Sequence, residues 1–184
     1  MILAVDPGLA TCGWAVLDDA GRVLNLGVII TQRDSVVSEA TDRARRAAHQ
    51  GGVLAELVHR HNCGAIACEA MSFGGPPSAR YHMAISVGLS WGVVTGIART
   101  TGIALYSVPP KQWQRAVQPE AKKKVDYPKL EAALAAYVDE HAMLALAVIA
   151  KSVRNHPLDA VGIGLFVALR REQADRIVNE GAAA

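Results

Sequence analysis

A chain of 184 residues with 51% hydrophobic content is too apolar for a disordered protein, yet its longest apolar runs are too short or too polar to span a bilayer. The length suits one ordinary domain over residues 1–184, and a formal net charge of +2 does not by itself argue for a nucleic-acid partner. Met1-Ile2 enters an apolar run with no basic leader, and Cys12, Cys63 and Cys68 are odd in number without CxxC spacing. The expectation is a cytoplasmic protein with no membrane partner and with reduced, partly buried thiols.

In chain order, residues 2–6, 12–18 and 22–30 read as three strands, joined by links short enough to make antiparallel neighbours and hence a meander. Apolar positions at Ala44, Ala47, Ala48, Leu54, Leu57 and Val58 predict one helix over 37–61, with Gly51-Gly52 as the place for a kink. His59 and His61 close it without sharing a face, which favours a solvated helix end over a metal tract. Residues 64–69 form a fourth strand. The breaker-rich stretch 71–78 is a loop in which Phe73 either engages a substrate or tucks into the core.

A long helix over 79–101 carries Gly88, Gly92 and Gly96 in line. At roughly 1 kcal/mol each relative to alanine, these need an offset, either close packing on the sheet or contact with a second copy of the chain. Residues 103–108 form the fifth strand, stopped by Pro109-Pro110. A short helix near 111–117, a basic loop, a helix from about 128, an apolar helical segment within 139–155 and a closing helix from 157 to about 178 complete a mixed α/β order.

Three acids stand out. Asp6 closes Ile2-Leu3-Ala4-Val5, Glu69 closes Ala65-Ile66-Ala67-Cys68, and Asp159 follows His156-Pro157-Leu158 at the start of an apolar helix. Each alone reads as a turn cap, a surface charge or a helix-dipole partner. Together they would converge at the carboxyl edge of an open α/β sheet, where an unpaired buried carboxylate is costly. A divalent cation removes that cost, and Mg²⁺ suits a few carboxylates plus a substrate phosphate. Pro157 fits the first helical position, so His156 is expected as the N-cap, facing the same point as Asp159. Between 111 and 129, Lys111, Arg115, Lys122, Lys123, Lys124 and Lys129 outnumber Glu120 and Asp126, with Trp113 and Tyr127 interleaved. That is the composition of a surface that tracks phosphates and stacks bases.

Asp6-Pro7-Gly8-Leu9-Ala10-Thr11-Cys12-Gly13-Trp14, Cys68-Glu69, Pro109-Pro110-Lys111-Gln112-Trp113, Lys124 and His156-Pro157-Leu158-Asp159-Ala160 resemble the RuvC-type Holliday-junction resolvases, in order and over nearly the whole chain. The resemblance implies a ribonuclease H-like α/β fold, with a five-stranded mixed sheet built from an antiparallel meander of three strands and then parallel strands, and helices on both faces. It also implies a homodimer that acts on four-way junction DNA by paired symmetric nicks, leaving 5′-phosphate and 3′-hydroxyl ends. Carried over by motif, Asp6, Glu69, His156 and Asp159 are the expected catalytic and metal-ligating residues. Two Mg²⁺ ions, replaceable by Mn²⁺, would sit roughly 3.5–4 Å apart. Phe73, Lys111, Lys122, Lys123 and Lys124 are the expected DNA contacts, and a branch-migration complex is an expected partner.

His156 falls where family members hold Asp or His. A histidine must be neutral to bind metal, so incision is expected to rise with pH through roughly 6 to 7. Two places depart from the family pattern: Gln114 stands where another basic residue aligns, and 139–155 is longer than the usual link into the last helix. The rival readings are a ribonuclease H-fold nuclease acting on other branched DNA or structured RNA, and a module that binds junctions without cutting. The actin-like sugar-kinase fold needs two such domains, and the length holds one.

Overall fold

The computed structural model describes residues 1–71, 77–119 and 125–178, with 77–83, 172 and 175–178 by backbone alone. Strands β1 (Ile2–Asp6), β2 (Thr11–Leu17) and β3 (Val23–Ile30) form the antiparallel meander that their short links require. β4 (Ala65–Glu69) pairs in parallel with β1, and β5 (Ala104–Val108) in parallel with β4. The five expected strands and their directions are present, and a sixth, β6 (Asp175–Val178), adds antiparallel to β5, so the order is β3-β2-β1-β4-β5-β6.

That sixth strand corrects the reading of the C-terminal region. The closing helix does not run to 178. Helix α6 (Asn155–Arg170) ends where the apolar sequence gives way to Arg170-Arg171-Glu172-Gln173, a 3₁₀ turn follows, and the chain becomes a strand. Without it the edge of β5 would stay open, and an open edge invites pairing with other chains.

The period of two in β1 sends Leu3 and Val5 to one face of the sheet and Ile2 and Ala4 to the other. Helices α1 (Glu39–Arg60) and α2 (Pro77–Thr101) cover the first face with Leu54, Leu57, Trp91, Val94 and Ile97. Ser38 caps α1 by accepting from the Thr41 amide, and the helix continues through Gly51-Gly52. The second face is covered by α3 (Pro110–Val117), α4 (Tyr127–Leu134), α5 (Glu140–Val148) and α6. α6 lies directly on β1 and β2 and is buried along most of its length, each large aliphatic side chain contributing about 1.5–3 kcal/mol.

Two further expectations meet their outcome here. Among the described residues, a Cβ built at Gly88, Gly92 or Gly96 finds nothing within 4 Å, so these glycines do not serve packing on the sheet; Trp91, Val94, Ile97 and Ala98 do that. Within 139–154 only Glu140–Val148 is helical, because Asp139 starts the helix by accepting from the Ala142 amide at 2.8 Å and the chain turns again over 151–154, ahead of α6 at Asn155. The segment just before α5 pairs with the start of β3, through Val23 N to Tyr137 O and Asp139 N to Val23 O, and α5 buries Ala142 and Leu146. Cys12, Cys63 and Cys68 are free and fully buried rather than partly so.

Candidate active site

β1 and β4 are parallel neighbours with Val5 opposite Cys68, so Asp6 and Glu69 emerge at the same level on the carboxyl edge of the sheet. The turn after Asp6 is held firmly. Gln50, 1% exposed, donates to the carbonyls of Gly8 at 2.7 Å and Leu9 at 3.1 Å, and accepts from Ser90 Oγ at 3.3 Å. Thr31 Oγ1 also donates to the Leu9 carbonyl, at 2.5 Å. A buried polar network fully satisfied in this way locks the backbone beside Asp6.

The first turn of α6 brings His156 and Asp159 to the same edge. His156 is not the N-cap: the helix begins at Asn155, with Arg154 in the cap position making no side-chain cap bond. Proline tolerates this shift because the amides of the whole first turn lack helical partners. The approach depends on Gly13, the partner of Asp6 across the sheet. A Cβ at Gly13 would overlap the carbonyl of His156 and stand 2.8 Å from Pro157 N. With no side chain there, His156 Nδ1 reaches Asp6 Oδ2 at 2.6 Å.

The electrostatics follow from burial and crowding. The hydrogen bond to Asp6 raises the His156 imidazole above its usual pKa, against burial. Burial pushes Glu69 up to about 7, helped by the negative Asp6 and opposed by the indole N–H of Trp113, which donates to Glu69 Oε1 at 2.9 Å. Burial and the Asp6 charge push Asp159 up to about 8, opposed by Tyr127, whose hydroxyl donates to Asp159 Oδ2 at 3.0 Å. Asp159 Oδ1 is buried and, among the described residues, has no hydrogen-bond partner.

These groups fit a divalent cation. An orphaned buried acceptor and two carboxyls driven toward neutrality by burial and like charge are what a cation at the site would relieve, and three carboxylates with one imidazole are a suitable donor set. Among the described residues no three such groups yet close on one point; the carboxylates are instead held by His156, Trp113 and Tyr127.

The structure places the four sequence-predicted residues, Asp6, Glu69, His156 and Asp159, at the same sheet edge. Lys111 is exposed on α3, two residues before Trp113. Phe73, Lys122, Lys123 and Lys124 lie outside the described residues. Trp113 and Tyr127 do not form the base-stacking surface their position suggests. Trp113 is 1% exposed, Tyr127 is half-buried, and both turn their polar atoms to carboxylates of the candidate site, Glu69 and Asp159. The available signal was chemical: a buried indole or phenol needs a hydrogen-bond partner, and the acids were the partners in want of donors. Gly13 and Gln50 were also missed as site residues, since their roles depend on what lies opposite them.

The family model described as "Crossover junction endodeoxyribonuclease RuvC" matches residues 2–153. The chain is 30% identical over 118 residues to the crossover junction endodeoxyribonuclease RuvC of Roseiflexus sp. (strain RS-1), covering 62% of this chain and 64% of the relative. It is 30% identical over 120 residues to that of Rubrobacter xylanophilus, covering 64% and 62%. The chain therefore matches somewhat under two thirds of the length of these curated relatives. Its fold is similar to that of T. thermophilus RuvC in complex with Holliday junction substrate, with a TM-score of 0.67, 24% identity and 96% and 98% of the two chains covered. It is also similar to the yeast mitochondrial Holliday junction resolvase Ydc2, with a TM-score of 0.59, 12% identity and 91% and 77% covered. The ribonuclease H-like sheet carries the motifs in family order, the family match spans most of the sequence, and geometry adds His156 and Asp159 beyond its end: the chain belongs to the RuvC family of crossover junction endodeoxyribonucleases.

Proposed function

We propose that residues 1–184 form one metal-dependent nuclease domain, acting in the cytoplasm, that resolves four-way DNA junctions by paired symmetric nicks leaving 5′-phosphate and 3′-hydroxyl ends. The observation that carries this reading is the meeting of Asp6, Glu69, His156 and Asp159 at one sheet edge, with a buried carboxylate oxygen left unpartnered. Membership in the RuvC family and a fold shared with a relative solved on a Holliday junction support the choice of substrate.

Asp6, Glu69, His156 and Asp159 would hold two divalent ions, for which Mg²⁺ is the natural choice and Mn²⁺ a substitute. When bound, the ions supply water activation and stabilisation of the leaving 3′-oxygen for in-line displacement at the scissile phosphate. The chain's own residues prepare the site. With Nδ1–H donating to Asp6, the His156 ring is fixed in orientation and its Nε2 carries the free lone pair. Glu69 and Asp159 must each give up a proton that burial otherwise retains near neutral pH. Lys111, with Lys122, Lys123 and Lys124, supplies positive charge for the DNA backbone, and Phe73 supplies an aromatic surface for the junction.

Paired nicking needs two sites. The glycine line of α2, open along Gly88, Gly92 and Gly96, supports a homodimer because small residues let a second backbone approach closely. A branch-migration complex would be the fitting source of junctions.

The test is strand incision on a synthetic four-way junction in Mg²⁺ or Mn²⁺, with linear duplex, flap and RNA-hybrid competitors. Symmetric, ligatable nicks that disappear in Asp6→Asn are expected. Equal cutting of flaps and hybrids would replace the resolvase with a general branched-substrate nuclease, and binding without incision would replace it with a junction-binding module.

A further inference from the structure

The two helices on either side of the basic stretch each send one hydrogen bond to a different catalytic carboxylate. Trp113, on α3, donates to Glu69 Oε1 at 2.9 Å; Tyr127, the first residue of α4, donates to Asp159 Oδ2 at 3.0 Å. In each case only one carboxylate oxygen is engaged by the donor. On Asp159 the other oxygen, Oδ1, is the buried atom without a partner.

Both donors are themselves fixed. Trp113 is buried to 1% exposure and seated against Gly162, where a Cβ would stand 2.6 Å and 2.7 Å from ring carbons. Gly162 lies one turn on from Asp159 in α6, so the same helix that carries one carboxylate makes room for the ring that holds the other. The ends of α3 and α4 are stapled together. Gln118 Nε2 donates to the Asp126 carbonyl at 2.7 Å, and the Asp126 amide donates to Gln118 Oε1 at 3.2 Å. Glu69 has a second anchor in Trp91, whose indole donates to its carbonyl at 2.9 Å.

We propose that Trp113 and Tyr127 are positioning residues, which hold one oxygen each of Glu69 and Asp159 so that the other is presented to metal, and which tie both carboxylates to the helices that bracket the basic stretch. This rests on the nuclease reading of the site. It assigns a function to two aromatic residues whose sequence context suggests DNA stacking. It also explains why a tryptophan N–H is spent on a carboxylate: hydrogen-bond partners of metal ligands orient them, and their loss typically weakens metal affinity by about 10- to 100-fold.

The experiment compares wild type, Trp113→Phe, Tyr127→Phe and Ile163→Val, the last trimming a fully buried α6 side chain with no bond to either carboxylate. Tyr127→Phe keeps its ring and deletes only the donor; Trp113→Phe deletes the donor and also shrinks the buried indole to a phenyl ring, so its thermal melt is read beside its Mn²⁺ affinity. Mn²⁺ binding to the protein alone is measured from the electron paramagnetic resonance of the free ion, junction affinity is measured in EDTA, and folding is checked by thermal melts. Expected are a roughly tenfold or greater loss of Mn²⁺ affinity in each aromatic variant, near-unchanged junction affinity in EDTA, and wild-type Mn²⁺ affinity in Ile163→Val. Unchanged or tighter Mn²⁺ binding in both aromatic variants would overturn the positioning role, as would an equal loss in Ile163→Val. A failure of the wild type to nick any junction, with Mn²⁺ still bound and still weakened in the variants, would instead overturn the nuclease reading.

Discussion

The glycines of α2 and those around α6 occupy opposite surroundings. At Gly88, Gly92 and Gly96 a methyl group would meet none of the described residues, whereas at Gly13, Gly162 and Gly164 it would collide with His156, with Trp113 and with Leu17. The regular spacing of four in α2 looks the more purposeful, yet the irregular set builds the candidate site. Gly164 lets α6 settle on β1 and β2, Gly13 lets its first turn reach Asp6, and Gly162 seats the ring that holds Glu69. A glycine whose missing side chain is replaced by another residue's atoms is a packing element; one facing empty space is either wasted or awaits a partner.

Substitutions break this contrast in order of size. Gly13→Ala carries the largest effect, because the methyl group overlaps backbone, which cannot rotate away. The start of α6 must lift from β2, parting His156 from Asp6, so incision is expected to vanish and stability to fall by at least the roughly 1–3 kcal/mol of an overpacked core, measured by urea denaturation. Gly162→Ala is next. Its methyl group pushes on the Trp113 ring, and the expected result is reduced incision together with a loss of about 1–3 kcal/mol, visible as a lowered midpoint at unchanged slope.

Gly92→Ala should do the reverse. With nothing near the new methyl group, it raises monomer stability by up to about 1 kcal/mol through helix propensity. If α2 is the face that meets a second copy, the same change weakens self-association in sedimentation run over a concentration series. Unchanged self-association would move the dimer contact elsewhere.

The smallest effect is that of pH on the metal-free protein. Glu69 rises from 4.5 to about 7, Asp159 from 3.8 to about 8, and His156 rises from 6.5. A group whose folded pKa exceeds its unfolded value binds more protons when folded, so its contribution is complete below the unfolded value and is lost as pH climbs through the folded one. Melting temperature in EDTA is therefore expected to decline from about pH 4 to about pH 8, and Mg²⁺ to flatten the decline by stabilising the ionised carboxylates. Incision should rise over the upper part of that window, since the same protons must leave before metal binds. A flat activity profile down to pH 5 with the metal sites filled would remove His156 from the ligand set.

Sequence by itself determined whatever depends on neighbours along the chain. The five strands, the order of helices and the placing of Asp6 and Glu69 at strand ends follow from runs of apolar residues closed by an acid and a turn, all within a few positions of one another. His156 and Asp159 were legible as a pair because Pro157 marks a helix start to within a residue or so. The tertiary structure decided the rest. β6 forms because β5 offers an edge far away in sequence, and α5 stops short where the chain turns toward α6. Trp113 and Tyr127 sit in a stretch whose composition suits DNA, but they turn inward because buried carboxylates need donors and burial is a property of the assembled fold. Likewise, no spacing rule separates a filled glycine from an empty one, because the deciding atom belongs to another part of the chain.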